Sequence, residues 1–467
     1  FSMSNSEKKQ NLAQSPSLEQ SQKAAIDSGL FTSGNWPDPK WWKTFDSDVL
    51  NDWVETALLN NPDLRSSEIK IQQAKQMAIV ARQPLFPTLY FDAQDNYRYL
   101  SENSFDHILN TSLGLSGYQV DLSLAFNYEF DFWNQNRNTF RAALGELKAI
   151  EAEFYEAQLI LSTSVTQAYF ALLTTMQKRD LYAELVNIQD RKLKLQEKLL
   201  RSALSSAFQP LFDEETLREA KEKLLSMEDE IAMQQHLINI LMGKSPDCPL
   251  ALDRIRLEPP KSIPLPDDLS IELLARRPDL MVQIWKAEAA AFEVSVAKAD
   301  FFPNINLASY MGFTSVAWKS LFDSNSRALG YKPALSLPIF TAGSIQANFR
   351  AKKAKFEEAI YQYNNLLLIS AQQVADSLVQ LTTVYEQKSL QEQIVAEAKA
   401  RLDLTIARVH SGLDSQFAYL DFAAALIERK IRTVEYTYLQ YAMLVKLIKS
   451  LGGGFSFNHV PIRQEKS

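Results

Sequence analysis

GSIQANFRAKKAKFEEAIYQYNNLLLISAQQVADSLVQLTTVYEQKSLQEQIVAEAKARLDLTIARVHSGLDSQFAYLD, Gly343 to Asp421, is the stretch on which the fold turns. Between Ser344 and His410 it holds neither proline nor glycine. Apolar residues return at three- and four-residue steps: Phe356, Ile360, Tyr363, Leu367, then Val374, Leu378 and Leu381. A breaker-free interior with this period specifies an amphipathic helix. At about 1.5 Å per residue it reaches roughly 100 Å, several times the width of an ordinary core. An elongated molecule is expected, with a function that uses the length. Ser411-Gly412-Leu413-Asp414-Ser415 supplies the turn that ends the helix.

Working outward from this stretch, the same signals are met twice. Asn61-Pro62-Asp63-Leu64 opens a medium helix to about Gln83, and Arg277-Pro278-Asp279-Leu280 opens another to about Asp300, at an offset of 216. Phe86-Pro87 and Phe302-Pro303 close both at that offset. Phe140-Arg141-Ala142 matches Phe349-Arg350-Ala351 at an offset of 209, as Leu204, Ser206, Phe208 and Leu211 match Leu413, Ser415, Phe417 and Leu420. Closing helices follow at Asp213 to Met242 and Tyr419 to Ser450. Such matches mark internal duplication. Each half reads as short helix, medium helix, strand, strand, very long helix, turn, helix. A medium helix of about 21 residues and a closing helix of about 32 approach a long one of about 65, so the two are expected to stack end to end beside it. The expected domains are a flexible leader (1–35), a first repeat (36–250), a second repeat (251–455) and a tail (456–467).

The strands bear on what surrounds the helices. Along Gln119 to Asp131, Val120, Leu122, Leu124, Phe126, Tyr128 and Phe130 fall on one face. Gln119, Asp121, Ser123, Asn127, Glu129 and Asp131 fall on the other. Thr88 to Leu100 repeats the scheme, with Leu89, Phe91 and Ala93 against Asp92, Gln94, Asn96 and Arg98; the second half offers Asn304 to Phe313 and Pro333 to Phe340. Alternation of this kind makes a sheet with one apolar and one wet side. In a soluble sandwich the apolar side covers another layer, whereas in a membrane barrel it faces lipid and the polar side lines water. Three features weigh toward the barrel: only four strand candidates, a carboxylate-rich polar face, and aromatics (Tyr90, Tyr97, Tyr99, Tyr118, Tyr128, Phe130, Phe132, Trp133) near the strand ends, as in interfacial girdles. Four strands cannot close a membrane barrel, whose minimum is about eight, so this reading requires several chains.

Composition removes other functions. The 467 residues carry a net charge of -7, which gives no basic footprint for nucleic acid. Cys248 is the single cysteine and forms no intrachain disulfide. No window approaches eighteen consecutive apolar residues, so no spanning helix is expected, which leaves membrane strands untouched. Leu451-Gly452-Gly453-Gly454 is followed by Phe455 rather than the Lys-Ser/Thr of a phosphate loop, and it closes a helix. Gly243-Lys244-Ser245 has Ile238 where that motif needs its first glycine. The histidines, His107, His236, His410 and His459, are scattered. The chain is read as no enzyme, without catalytic residues, cofactor or metal site.

The whole arrangement resembles the bacterial outer-membrane efflux family, the TolC and OprM type of channel. The resemblance spans about Trp36 to Phe455. It rests on the Trp-rich entry with Phe45 and Leu50, Ala57-Leu58, Asn61 to Leu64, the two Phe-Pro junctions, Tyr128-Glu129-Phe130-Asp131, Leu335 to Phe340, Gly412 to Asp421 and Leu447 to Phe455. It implies an α/β membrane protein of duplicated helix-strand-strand-long helix-helix units. As a homotrimer it would form a 12-stranded outer-membrane β-barrel in lipid, continuous with a long periplasmic α-helical barrel. The implied role is the exit duct of a tripartite pump, in the outer membrane of a Gram-negative bacterium, with its tunnel projecting into the periplasm. Its implied partners are a periplasmic adaptor (membrane fusion) protein and an inner-membrane transporter.

By the same resemblance Phe417 is a constriction and Asp421 a carboxylate ring at the periplasmic gate. Like carboxylates facing one lumen repel, raise each other's pKa and favour cations. The alternative for Asp421 is a helix-start cap or a solvated residue, and Asp414 reads as the turn and N-cap residue. The tip turns are Gly412, Leu413 and Ser415, and in the first copy Ala203, Leu204, Ser206 and Phe208. The implied lumen residues are Asp92, Gln94, Asn96, Arg98, Asp121, Ser123, Asn127 and Glu129. The first tip departs from the pattern: Ala203 replaces the turn glycine, Phe212 the ring carboxylate, and Pro210 interrupts, so a different bend is expected there. The competing class is a soluble elongated coiled-coil scaffold.

Overall fold

The computed structural model describes residues 16–99, 101, 116–252, 257–267, 269 and 276–455. In chain order these hold α1 (Glu19–Asp27), β1 (Phe31–Gly34), α2 (Asp48–Asn60), α3 (Pro62–Arg82), β2 (Thr88–Tyr99), β3 (Ser116–Phe130), α4 (Gln135–Arg201) and α5 (Phe208–Leu241). There follow β4 (Ile263–Pro266), α6 (Pro278–Ala299), β5 (Asn304–Ser315), β6 (Arg327–Ser336), α7 (Ser344–His410) and α8 (Gln416–Ser450). The described residues divide into two compact units. One draws on residues up to 69, 151–282 and those from 364 on, the other on 70–150 and 283–363.

Both long helices, α4 and α7, run 67 residues. The stripe read along α7 is inside: Ile360, Tyr363, Leu367, Val374, Leu378 and Leu381 are all buried, and Phe356 half-buried. One stretch of α4 is long and apolar enough by composition to cross a membrane, and 67% of it is buried within the chain. That stretch is core. Leu161, Val165, Tyr169, Leu172 and Leu173 of α4 pack with Trp41, Leu50, Trp53 and Val54, with Ile238 and Met242, and with Tyr441 and Val445 of α8. Phe170 stacks on Tyr441 at 3.8 Å. Ser47 caps α2, its Oγ accepting from the Leu50 N–H (3.1 Å), and shares a hydrogen bond with the buried Tyr169 hydroxyl (2.9 Å).

Each medium helix begins against the last carbonyl of a closing helix. Asn61 Nδ2 donates to the Leu241 carbonyl (3.0 Å), while its Oδ1 caps α3 by accepting from the Leu64 N–H (3.1 Å). At the corresponding place Arg277 Nη1 donates to the Ser450 carbonyl (3.0 Å), and Nε and Nη2 grip Asp279 at 3.0 and 2.6 Å. The junctions require glycine. Gly243 (φ 71°) and Gly452 (φ 87°) are left-handed, and a Cβ there would come within 2.5 Å of the Asn60 oxygen and 2.0 Å of the Arg276 oxygen. The two joints thus tie the start of each medium helix to the end of a closing helix.

Several boundaries differ from the sequence reading, among them β3 (Ser116–Phe130) and β5 (Asn304–Ser315). The leader is not flexible throughout: β1 pairs parallel with β4, Phe31 opposite Ile263, and Leu18, Ala25 and Phe31 are buried with Ile263, Leu265, Val374 and Leu378. Residues 1–15, 100 and the tail 456–467 lie outside the described residues, as do His107 and His459. The last strand is Arg327–Ser336 rather than Pro333 to Phe340. Leu337, Ile339 and Phe340 are instead exposed in the link to α7. Closing helices start earlier than read, at Phe208 and Gln416. Pro210 sits in the first turn of α5, where its missing N–H has no helical acceptor to lose, so it interrupts nothing.

Candidate functional site

Two surfaces concentrate the residues singled out by sequence, one in each compact unit. The first is the antiparallel sheet β2-β3-β5-β6. Its register keeps the alternation of every strand in step: Leu89 faces Phe126, Phe91 faces Leu124, and Leu122 and Leu124 face Phe313 and Met311. Ile305 and Met311 in turn face Leu335 and Leu329. Paired residues share a face, so one continuous apolar surface results. Leu89, Phe91, Met311, Leu329, Tyr331 and Leu335 stand exposed on it.

Asp92, Gln94, Asn96, Arg98, Asp121, Ser123, Asn127 and Glu129 all occupy the opposite face by the same register. Asn304, Asn306, Thr314, Lys332 and Ser336 join them, and sequence reading had not collected these. Asn304 Nδ2 donates to Glu129 Oε1 (2.9 Å). Tyr90 also falls on this polar face, opposite Ala125, and so leaves the girdle read from sequence. Asp95, a carboxylate on the apolar face, accepts from Trp318 Nε1 (3.1 Å) in the link between β5 and β6. Gly312 lets β5 lie against β3, since a Cβ there would meet the Leu122 oxygen at 2.0 Å. Among the described residues β2 and β6 are the edge strands of this sheet.

The second surface is the pair of helix tips. Gly412 (φ 71°) and Ala203 (φ 55°) are both left-handed. Leu413 and Leu204 N–H return to the Arg408 and Leu199 carbonyls at 2.9 Å each, so the two long helices end in the same way. Ala203 bears a conformation suited to glycine, and the first tip departs from the second past Leu204, where α5 opens at Phe208 behind Ala207 without a side-chain cap. Ser415, not Asp414, caps α8: its Oγ accepts from the Ala418 N–H (3.2 Å), while Asp414 Oδ2 accepts from Arg408 Nε (2.6 Å). Ser206 at the matching place makes no such cap. Leu204, Phe208, Leu211, Phe212 and Leu413 are exposed; Phe417 is half-buried.

Behind the tips Leu185 and Ile188 of α4, Ala220 of α5, and Leu420, Ala423, Ala424, Ile427 and Ile431 of α8 form a small core. Lys192 spans its edge. Its Nζ lies 2.8 Å from Asp421 Oδ1 and 3.4 Å from Asp213 Oδ1. Asp213 is 1% exposed and Asp421 55%. Burial alone would lower the Lys192 pKa, but hydrogen bonding and attraction from Asp421, with Asp213 behind it, hold it above the ordinary lysine value. Asp421 therefore neither caps a helix nor stands alone. Lys192 was missed from sequence. The signal was there, because the offset of 209 carries it onto a second cation, Arg401, beside Phe422 (5.9 Å).

The profile described as outer membrane efflux protein matches residues 53–240 and 269–453. The chain belongs to that family. A relative is the multidrug resistance outer membrane protein MdtP of Escherichia coli O6:H1, 24% identical over 455 residues, covering 95% of this chain and 91% of MdtP. Another is the outer membrane protein OprJ of Pseudomonas aeruginosa, 27% identical over 89% of this chain and 86% of OprJ. Among solved structures, the outer membrane protein VceC of Vibrio cholerae superposes with a TM-score of 0.81 at 27% identity, over 90% of this chain and all of VceC. The protein is accordingly an outer-membrane efflux channel of the TolC type, and the soluble scaffold has no support.

Proposed function

We propose that this outer membrane efflux protein is the passive exit duct of a tripartite pump, working as a homotrimer. Three four-stranded sheets join edge to edge, β2 of one chain with β6 of the next, into one barrel of twelve strands. The apolar face meets lipid, and Asp92, Gln94, Asn96, Arg98, Asp121, Ser123, Asn127 and Glu129 line water. Two repeats, 36–250 and 251–455, build the barrel and the periplasmic helical tunnel together. An inner-membrane transporter and a periplasmic adaptor deliver the substrate. The exposed apolar tip residues Leu204, Phe208 and Leu413 receive the adaptor, and Phe417 and Asp421 form the gate.

The observation that carries this reading is the sheet itself: two-faced, apolar and exposed on one side and, among the described residues, with an unpaired strand at each edge. In water such a sheet is an aggregation site, whereas a closed barrel in lipid satisfies both the face and the edges. Light scattering on the detergent-solubilised particle tests it. Three chains of 53.0 kDa give 159 kDa, and a particle of that mass that conducts in planar bilayers is expected. Asp421→Ala and Phe417→Ala then alter conductance or gating. A detergent-independent monomer would refute the proposal.

A further inference from the structure

We infer that β6 of one chain meets β2 of the next in a single register, from Leu329 opposite Tyr99 to Ile339 opposite Leu89, and that Leu337, Pro338 and Ile339 become strand only at that seam. This rests on the outer-membrane channel reading above and adds to it how the chains join. The duplication supplies the register. The offsets of 216 and 209 met in the helices also hold in the sheet: Thr88 opposite Asn127 in the first hairpin becomes Asn304 opposite Ser336 in the second. β5 is therefore the counterpart of β2, and β6 of β3. The joint between the two hairpins, β3 with β5, runs from Val120 opposite Ser315 to Phe130 opposite Ile305. A ring of such hairpins repeats that joint wherever β6 meets β2 of the next chain. Shifted by the two offsets, it sets Leu329, Tyr331 and Leu335 opposite Tyr99, Tyr97 and Ala93 of the next chain, all on the apolar face.

The same shift accounts for the exposed link after β6. β3 continues past its last pair with β2, Asn127 opposite Thr88, and there Tyr128, Glu129 and Phe130 pair with β5 alone. Their counterparts are Leu337, Pro338 and Ile339. These follow the last pair of β6, Ser336 opposite Asn304, and have no strand partner among the described residues. Ile339 is 92% exposed, and Leu337 is exposed with it. Leu89 and Phe91, which the shift sets opposite them, are exposed at the other edge of the sheet. One seam covers both sets of apolar residues.

The prolines fix which way the ladder faces. Pro333 is paired with β5 at Leu307, so its nitrogen, which carries no N–H, belongs on the outer side, and the odd-numbered residues of β6 turn their backbone groups outward. Leu337 and Ile339 then aim N–H and C=O at the next chain. Pro338 turns its nitrogen to the side where β5 has not yet begun, and no bond is lost there. A slip of one residue would carry Leu337 and Ile339 to the polar face. A slip of two keeps the faces, and is the competitor to be separated.

Disulfide trapping in the full-length detergent-solubilised particle separates them, with Cys248→Ser removing the native thiol. Within one chain β2 and β6 lie at opposite edges of a four-stranded sheet, about 14 Å apart at about 4.8 Å per strand, so a disulfide between them joins two chains. Ile339→Cys/Leu89→Cys and Leu337→Cys/Phe91→Cys are expected to give a covalent trimer on a denaturing, non-reducing gel after oxidation. The slipped pair Ile339→Cys/Phe91→Cys, about 7–8 Å apart in the inferred register, gives at least about ten-fold less. If the variants misassemble, amide exchange of the unaltered particle serves instead: Leu337 and Ile339 exchange at least about a hundred-fold more slowly than an open chain. Preferential trapping of the slipped pair, or open-chain exchange at Leu337 and Ile339 in a trimer that conducts, overturns the proposal while leaving the channel intact. Absence of both trimer and conductance in the unaltered protein overturns the channel reading instead.

Discussion

Lys192→Met is the most informative single change at the tips. Among the described residues neither oxygen of Asp213 accepts a hydrogen bond, so its buried charge is answered by Lys192 Nζ at 3.4 Å. Removing one partner of a buried pair typically costs about 3–5 kcal/mol. Lys192 is itself 16% exposed, so the expected penalty lies toward the lower end of that range, about 3–4 kcal/mol at pH 7. Asp421 is 55% exposed, so Asp421→Ala, which breaks the shorter 2.8 Å contact, costs at most about 1 kcal/mol.

Amide hydrogen exchange over residues 186–195, 213–220 and 420–427, corrected for intrinsic exchange, measures these numbers. At pH 7 Lys192→Met speeds exchange by about two to three orders of magnitude, and Asp421→Ala by about five-fold or less. Lys192→Met/Asp213→Asn recovers most of the loss, since it leaves no unpaired buried charge. The reasoning fails if Asp421→Ala equals Lys192→Met, or if Lys192→Met/Asp213→Asn recovers nothing.

Ala203→Gly relieves a left-handed alanine and stabilises the first tip by about 1 kcal/mol, seen as slower exchange at 199–205, whereas Gly412→Ala does the reverse at the second tip. Arg277→Ala removes the buried donor to the Ser450 carbonyl and lowers the melting temperature more than Asn61→Ala, by about 3 against 1–2 kcal/mol in thermal denaturation. Gly312→Val forces a side chain into the Leu122 carbonyl and prevents assembly of the sheet, read as loss of the heat-resistant particle on a semi-native gel. Burial raises the Glu293 pKa, but hydrogen bonds from Lys355 and Lys352 outweigh it and leave the value lowered. The stability it lends is present above the ordinary glutamate range and is lost as pH falls through the lowered value. Glu293→Gln therefore flattens the acid side of the stability profile below about pH 4.5, measured by denaturant titration.

Much of this was legible because the dominant signals are local. Absence of breakers gives α7, and period two gives β3; neither depends on knowing a partner. The last strand was misplaced for an equally local reason. Gly330 and Pro333 interrupt the apolar pattern of β6, whereas Leu335 to Phe340 continues it past the strand into an exposed link. Gly330 is retained because Tyr310 lies over it, a cross-strand contact that no single strand displays. The ordered part of the leader was hidden because its anchors, Leu18, Ala25 and Phe31, are isolated among polar residues and find their partners more than two hundred residues away. Lys192 was hidden in the same way, between two carboxylates from different hairpins.

The tips show how a duplicated chain acquires a bond that its repeat alone would not make. Lys192 and Arg401 occupy equivalent positions, but the residues opposite them are transposed: Phe212-Asp213 in one copy, Asp421-Phe422 in the other. One step along a helix turns a side chain by about 100°. In the first copy the transposition buries Asp213 toward Lys192 and exposes Phe212; in the second it sets Phe422 beside Arg401 and leaves Asp421 half-exposed. Lys192 thus gathers a carboxylate from each hairpin, whereas Arg401 lies against a ring. The charge at this place is two carboxylates against one cation, so Asp421 contributes less free negative charge than a bare carboxylate would. Its attachment to Lys192 instead couples α8 to α4, and displacing either helix exposes both charges to water.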